Sequence, residues 1–155
     1  MKTLLQTVAL AAMLAFTTIA SAADPVVGTW QLNAAKSKFS PGPAPKSDTR
    51  TYTESADGIT MTWKTVAADG KEMNSKSTFK TDGKDYPLTG SPNFDALSLK
   101  QVDSHTVHSI QKKGGKAVGE TTRTVSKDGK EMTLASKFTG ADGVAYNNVM
   151  VYDRK

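Results

Sequence analysis

Cysteine is absent from this 155-residue chain. That excludes disulfides, thiolate metal centres and cysteine nucleophiles. Histidine occurs only as His105 and His108. At that spacing in a strand the two rings point to opposite faces and cannot share one metal ion. With so few histidines, no Ser-His-Asp arrangement can be assigned. Asp-x-Asp-x-Asp-Gly calcium loops are missing, and the glycines do not form a phosphate-cradling loop ahead of a helix. No window holds a 3.6-residue apolar period over the length of a helix. After residue 22 there is no apolar run long enough to span a bilayer. No catalytic residue, metal site or cofactor is therefore assigned, and the chain reads as a binding protein rather than an enzyme.

The one long apolar run lies at the start. Lys2 precedes Leu4, Leu5, Val8, Leu10, Met13, Leu14, Phe16 and Ile19, and Ala20-Ser21-Ala22 offers a small-x-small cleavage site. This is the pattern of a secretory signal peptide over residues 1–22. It predicts a periplasmic or secreted protein whose folded part, residues 23–155, is soluble after cleavage. Without a cysteine there is no acceptor for a lipid anchor, and without disulfides the exported domain must rest on its hydrophobic core. That core is expected to make one domain and a monomer.

Past the leader the turn signals are regular. Asp-Gly occurs at Asp57-Gly58, Asp69-Gly70, Asp82-Gly83, Asp128-Gly129 and Asp142-Gly143, with Gly114-Gly115 between them. These are hairpin signals, because both central residues of a type I′ turn need positive φ. Between the turns the period is two. Ile59, Met61 and Trp63 alternate with Thr60, Thr62 and Lys64, and Met132, Leu134, Ser136 and Phe138 alternate with Thr133 and Lys137. Strands are predicted near 26–33, 48–55, 59–67, 71–81, 84–89, 95–102, 105–112, 117–127, 130–139 and 144–153. A meander of that many strands leaves open edges unless it closes, so the expected fold is all-β: a single up-and-down antiparallel barrel of about ten strands. The link after the first strand carries Pro41, Pro43 and Pro45. It is expected to make one short helical turn between Ala34 and Phe39 and then run extended.

The faces that alternation points inward are half polar. They mix Met and aromatics with Ser and Thr, and include Arg50, Tyr52 and Glu54 on one strand and Gly119, Thr121, Arg123 and Val125 on another. Such an interior suits a cavity better than a filled core. An inward arginine must be paired or wetted. Arg50 and Arg123 would therefore meet Glu54 or Glu120, or stand ready for an acidic head group. The net charge of +5 is modest, and basic residues are not interleaved with aromatics as a nucleic-acid groove requires.

The Gly28-Thr29-Trp30 opening resembles the Gly-x-Trp signature of lipocalins and the Gly-Thr-Trp opening of fatty-acid-binding proteins, both calycin barrels. "GETTRTVSKDGKEMTLASKF" resembles the late hairpins of the fatty-acid-binding proteins, and "VMVYDRK" their closing strand. "GTWQLNAAKSKFSPGPAPKS" and "DGKDYPLTGSP" resemble a family of small, exported, lipocalin-like bacterial proteins. The resemblance implies a ten-stranded calycin-like barrel. It also implies that Gly28 and Trp30 close its base, with an arginine, Arg123 or Arg154, packed on the Trp. Fatty-acid-binding proteins hold a carboxylate with Arg-x-Tyr on the last strand. Here that position reads Met150-Val151-Tyr152, so Arg50 or Arg123 would have to substitute. Their helix-turn-helix after strand one is replaced by the Pro-rich link.

The expected ligand is a small hydrophobic molecule or lipid, with an acidic head where an arginine meets it. Its candidate contacts are Arg50, Tyr52, Trp63, Phe79, Tyr86, Arg123, Met150 and Tyr152. Two other readings stand beside this one. An envelope-stress interaction protein would touch anionic membrane through Lys112, Lys113 and Lys116. A haem- or substrate-binding barrel enzyme would need an inward histidine, and His108, sharing its face with Ile110, is the candidate.

Overall fold

A computed structural model of the chain describes residues 23–155. The leader assigned to residues 1–22 lies outside the described residues. The alternating segments form ten strands: β1 (Gly28–Leu32), β2 (Ser47–Ser55), β3 (Gly58–Val66), β4 (Glu72–Phe79), β5 (Asp82–Thr89), β6 (Ala96–Gln101), β7 (Thr106–Lys113), β8 (Lys116–Val125), β9 (Glu131–Thr139) and β10 (Ala145–Arg154). Each strand pairs antiparallel with the next, and β1 pairs with β10 to close the barrel. The closing register sets Trp30 against Arg154 and Leu32 against Tyr152. Closure removes the edges that a ten-stranded meander would leave open.

The link between β1 and β2 makes one 3-10 turn, Ala34–Lys36, capped by the Asn33 side chain, which accepts the Lys36 N–H. It does not run extended throughout: it bends at residues 40–42, where Gly42 has a φ of +107°, and it is tied to β10. Lys38 bridges to Val149, and the Asn147 N–H donates to the Ser40 carbonyl at 2.7 Å.

The turn chemistry differs from the sequence expectation. Only Gly114-Gly115 places both central residues at positive φ; among the described residues no residue other than glycine has positive φ. In the Asp-Gly turns the glycine alone adopts that conformation, and in four of the five the aspartate turns its carboxylate onto the chain ahead. Asp69 accepts the Lys71 N–H at 2.9 Å, Asp82 that of Lys84 at 3.0 Å, Asp128 that of Lys130 at 3.1 Å and Asp142 that of Val144 at 3.0 Å. Such local bonds substitute for a backbone turn and leave the left-handed position to glycine. The Lys84 and Val144 N–H groups hold Asp82 and Asp142 below the usual carboxylate range. For Asp128 the Ser126 hydroxyl does most of this, followed by the Lys130 N–H.

The up-and-down course sorts the connections to two ends. The even-numbered strands run down to the β2–β3, β4–β5, β6–β7 and β8–β9 turns. The Pro-rich link and the β3–β4, β5–β6, β7–β8 and β9–β10 turns surround the other end. The first end is packed shut. Val26, Trp30, Phe79, Met132 and Tyr152 are fully buried in one cluster.

Candidate functional site

Above that packed end the barrel encloses a cavity of about 390 Å³, within the range of small-molecule sites. Met61, Trp63, Phe79, Leu97 and Leu99 line its apolar side. Phe39, Pro41, Pro43 and Pro45 of the link stand at its mouth. Proline suits a strap of this kind, because it needs no backbone partner and holds φ fixed.

Arg50 and Asp48 project from the same face of β2 into this interior. The Arg50 Nε donates to Asp48 Oδ1 at 3.2 Å and to the Tyr152 hydroxyl at 2.9 Å. Tyr152 in turn donates to Asp48 Oδ1 at 3.1 Å, and Thr65 donates to Asp48 Oδ2 at 2.7 Å. The guanidinium lies 5.0 Å from the Trp63 ring and 5.3 Å from the Tyr152 ring, within cation–π range. Burial pulls its pKa down, yet the Tyr152 and Asp48 oxygens more than offset this and leave it raised, so Arg50 stays charged. Burial likewise pushes the Tyr152 phenol up, against the opposing pull of Arg50. The Arg50 bonds run through Nε, and its terminal nitrogens make none among the described residues. Glu54, the expected partner, is exposed near the closed end. Asp48 holds the same parity two residues in the other direction, and the tilt of β2 brings that end inside.

Arg123 projects from β8 and is only 6% exposed. Its guanidinium lies 5.4 Å from the Tyr52 ring. Its Nε is buried without a hydrogen-bond partner, and among the described residues no carboxylate pairs with it. Glu120, the other expected partner, is on the opposite face of β8, 3.8 Å from His108.

The partner of Trp30 is Arg154, at 4.1 Å from the ring centroid. Arg154 is fixed by three backbone carbonyls: Gly129 at 2.5 Å, Val27 at 2.7 Å and Pro25 at 2.6 Å. A Cβ on Gly28 would collide with its Nη1. Gly28 and Trp30 therefore belong to the closed end, and Arg123 is free for the cavity.

The structure brings Arg50, Tyr52, Trp63, Phe79, Arg123 and Met150 together around the cavity, with Tyr152 against Arg50. Tyr86 stands apart. It is half-buried at the edge of the core, and its hydroxyl donates to Asp82 at 3.0 Å. Its strand is irregular, with a register shift between Asp82 and Asp85. His108 points outward rather than in, because Val107, Ser109 and Gln111 take the inner face of β7. The polar character of that inner face is what misdirects an apolarity rule. Lys112 is paired with Asp85 at 2.7 Å; Lys113 and Lys116 flank the β7–β8 turn at the open end, exposed. Sequence reasoning missed Asp48, Gln111, Asn148 and the link residues as lining groups. Parity alone could have marked Asp48 and Asn148; Gln111 lies on the strand whose inner face the apolar pattern misdirects. Among the described residues no cluster of His, Asp and Glu could hold a metal ion.

No family model matches the chain, and no curated protein matches it. Among solved structures, the Rv2717c protein of M. tuberculosis is similar over 84% of this chain and 93% of its own, at 14% identity and a TM-score of 0.52. Zebrafish ileal bile acid-binding protein, solved with cholic acid, is similar over 84% of this chain and 99% of its own, at 13% identity and a TM-score of 0.49. The siderocalin Ex-FABP is similar over 84% and 74%, at 10% identity and a TM-score of 0.39. At such identities the likeness is one of fold alone, that of a closed antiparallel β-barrel.

Proposed function

We propose that this chain is an exported carrier whose barrel holds one small, mostly apolar acid, with the acid group at Arg123 and Arg50. The observation that carries this reading is Arg123: a guanidinium 6% exposed, lining the cavity, with no carboxylate paired to it among the described residues. An unpaired charge in such a place is strongly unfavourable unless it is met by a partner or water. An anionic guest supplies that partner, and Asp48 leaves one positive charge of the arginine pair uncompensated. The leader-like residues 1–22 support export to the periplasm or beyond. The exposed Lys113 and Lys116 beside the mouth favour delivery at an anionic membrane surface. Displacement of a fluorescent apolar probe tests the proposal. Hexadecanoate is expected to displace it at least tenfold better than hexadecanol, and Arg123→Met to abolish that preference. Equal displacement by acid and alcohol would overturn it.

A further inference from the structure

One row of inward positions crosses four adjacent strands and is polar throughout. Ser109 on β7 lies opposite Thr121 on β8, Thr121 opposite Ser136 on β9, and Ser136 opposite Asn148 on β10. All four line the cavity. At the next strand the row turns apolar, where Ser109 faces Leu99 on β6. The side chains are joined. Gln111 donates through Nε2 to Ser109 Oγ at 3.2 Å and to Thr121 Oγ1 at 2.8 Å, and the Thr121 hydroxyl donates to Ser136 Oγ at 2.8 Å. The Gln111 amide oxygen is buried with no partner. The facing wall, from β3 to β6, presents Met61, Trp63, Met73, Phe79, Leu97 and Leu99, with Thr65 as its one polar lining residue.

The cavity thus carries one polar row across β7–β10, set among apolar lining such as Val107, Leu134 and Met150, and faces a mostly apolar wall on β3–β6. A plain hydrocarbon guest would leave the Gln111 amide oxygen buried and unmet, which is unfavourable. Arg123 lies two residues along β8 from Thr121, about 7 Å at the rise of a strand. A guest whose acid group meets Arg123 would bring its next polar group to the row at about that distance.

We propose that the ligand is a carboxylic acid whose apolar skeleton carries hydroxyl groups along one edge, laid on the Ser109–Thr121–Ser136–Asn148 row, with its bare edge on the β3–β6 wall. This rests on the acid-binding reading above and narrows it. A rigid probe pair tests it: cholate, with hydroxyls on one face, and cholanate, the same steroid acid without them. A flexible pair, octadecanoate and a hydroxylated octadecanoate, covers the case in which the rigid skeleton does not pass the mouth. Affinities are measured by displacement from the full folded chain. Although the unhydroxylated acids are the more apolar, the hydroxylated member of at least one pair is expected to bind about tenfold more tightly. In the variant Gln111→Leu with Ser136→Ala, that preference is expected to vanish while hexadecanoate still binds. Equal or tighter binding of the bare acid in both pairs, with hexadecanoate bound, overturns this inference and leaves the acid site standing. So does a preference that survives in the double variant. Failure of every acid, hexadecanoate included, overturns the acid-binding reading and this inference with it.

Discussion

The Arg154 guanidinium lies over Trp30 at 4.1 Å from the ring centroid, in space kept open by the missing side chain of Gly28. The Trp30 indole N–H donates to the Val26 carbonyl at 2.7 Å. The first and last strands are therefore clamped across the base of the barrel by one aromatic and one cation. This clamp is a matter of stability, made at the closed end, whereas Arg123 lines the cavity. Gly28→Ala meets both the Arg154 contact and a φ of +138°, and is expected to destabilise by about 2–3 kcal/mol. Trp30→Ala is expected to lose about 3–5 kcal/mol. Denaturant titration checks both, and acid affinity measured on the remaining folded protein should be unchanged.

Arg123 should show the opposite balance. Removing a buried charge that no protein group pairs is neutral or stabilising. Arg123→Met is expected to hold or raise the melting temperature while acid affinity falls at least tenfold. A destabilisation of more than about 1 kcal/mol in calorimetry would mean that the guanidinium is structural.

Asp48 separates structure from binding in a third way. Its carboxylate accepts from Arg50, Tyr152 and Thr65. Asp48→Asn breaks a buried pair and is expected to lose about 3–5 kcal/mol. It also leaves the Arg50 charge without a carboxylate beside it, so the affinity for hexadecanoate should rise as stability falls. Paired unfolding and displacement measurements on the same variant read both changes.

The Tyr152 phenol gives a pH signature. Burial raises its folded pKa above the ordinary 10.0. The neutral phenol is then favoured by folding, so its contribution to stability is complete below pH 10.0 and is lost as pH rises through the higher folded value. Titration of phenolate absorbance should show a late step that coincides with unfolding and disappears in Tyr152→Phe. At the other end of the scale, Asp82, Asp128 and Asp142 sit below the usual 3.8. Their contribution is present above that value and lost as pH falls through the lower folded values.

Alternation and turn residues were enough to place the strands, because both are local. The faces of β2, β3, β8 and β9 follow from parity once one inward residue is known. Strand seven shows where this stops. His108 and Ile110 look more like an inner face than Ser109 and Gln111, and only the partners on β6 and β8 reverse that reading. The aspartates of the Asp-Gly turns show a second limit, since their side-chain bonds leave just the glycine in the left-handed region.

The order of strands, their closure into a barrel, the proline strap and the half-polar interior were thus written in the chain itself, through periods and turns a few residues long. Tertiary structure alone decided which arginine does what. Arg50, Arg123 and Arg154 are alike in sequence, each inward by parity on a Thr- or Tyr-bearing strand. The tilt and register of the closed barrel give Arg50 a carboxylate, give Arg154 three carbonyls and a tryptophan, and leave Arg123 with an aromatic ring alone. Those partners lie on strands far apart in the chain, and no local pattern carries the register that brings them together.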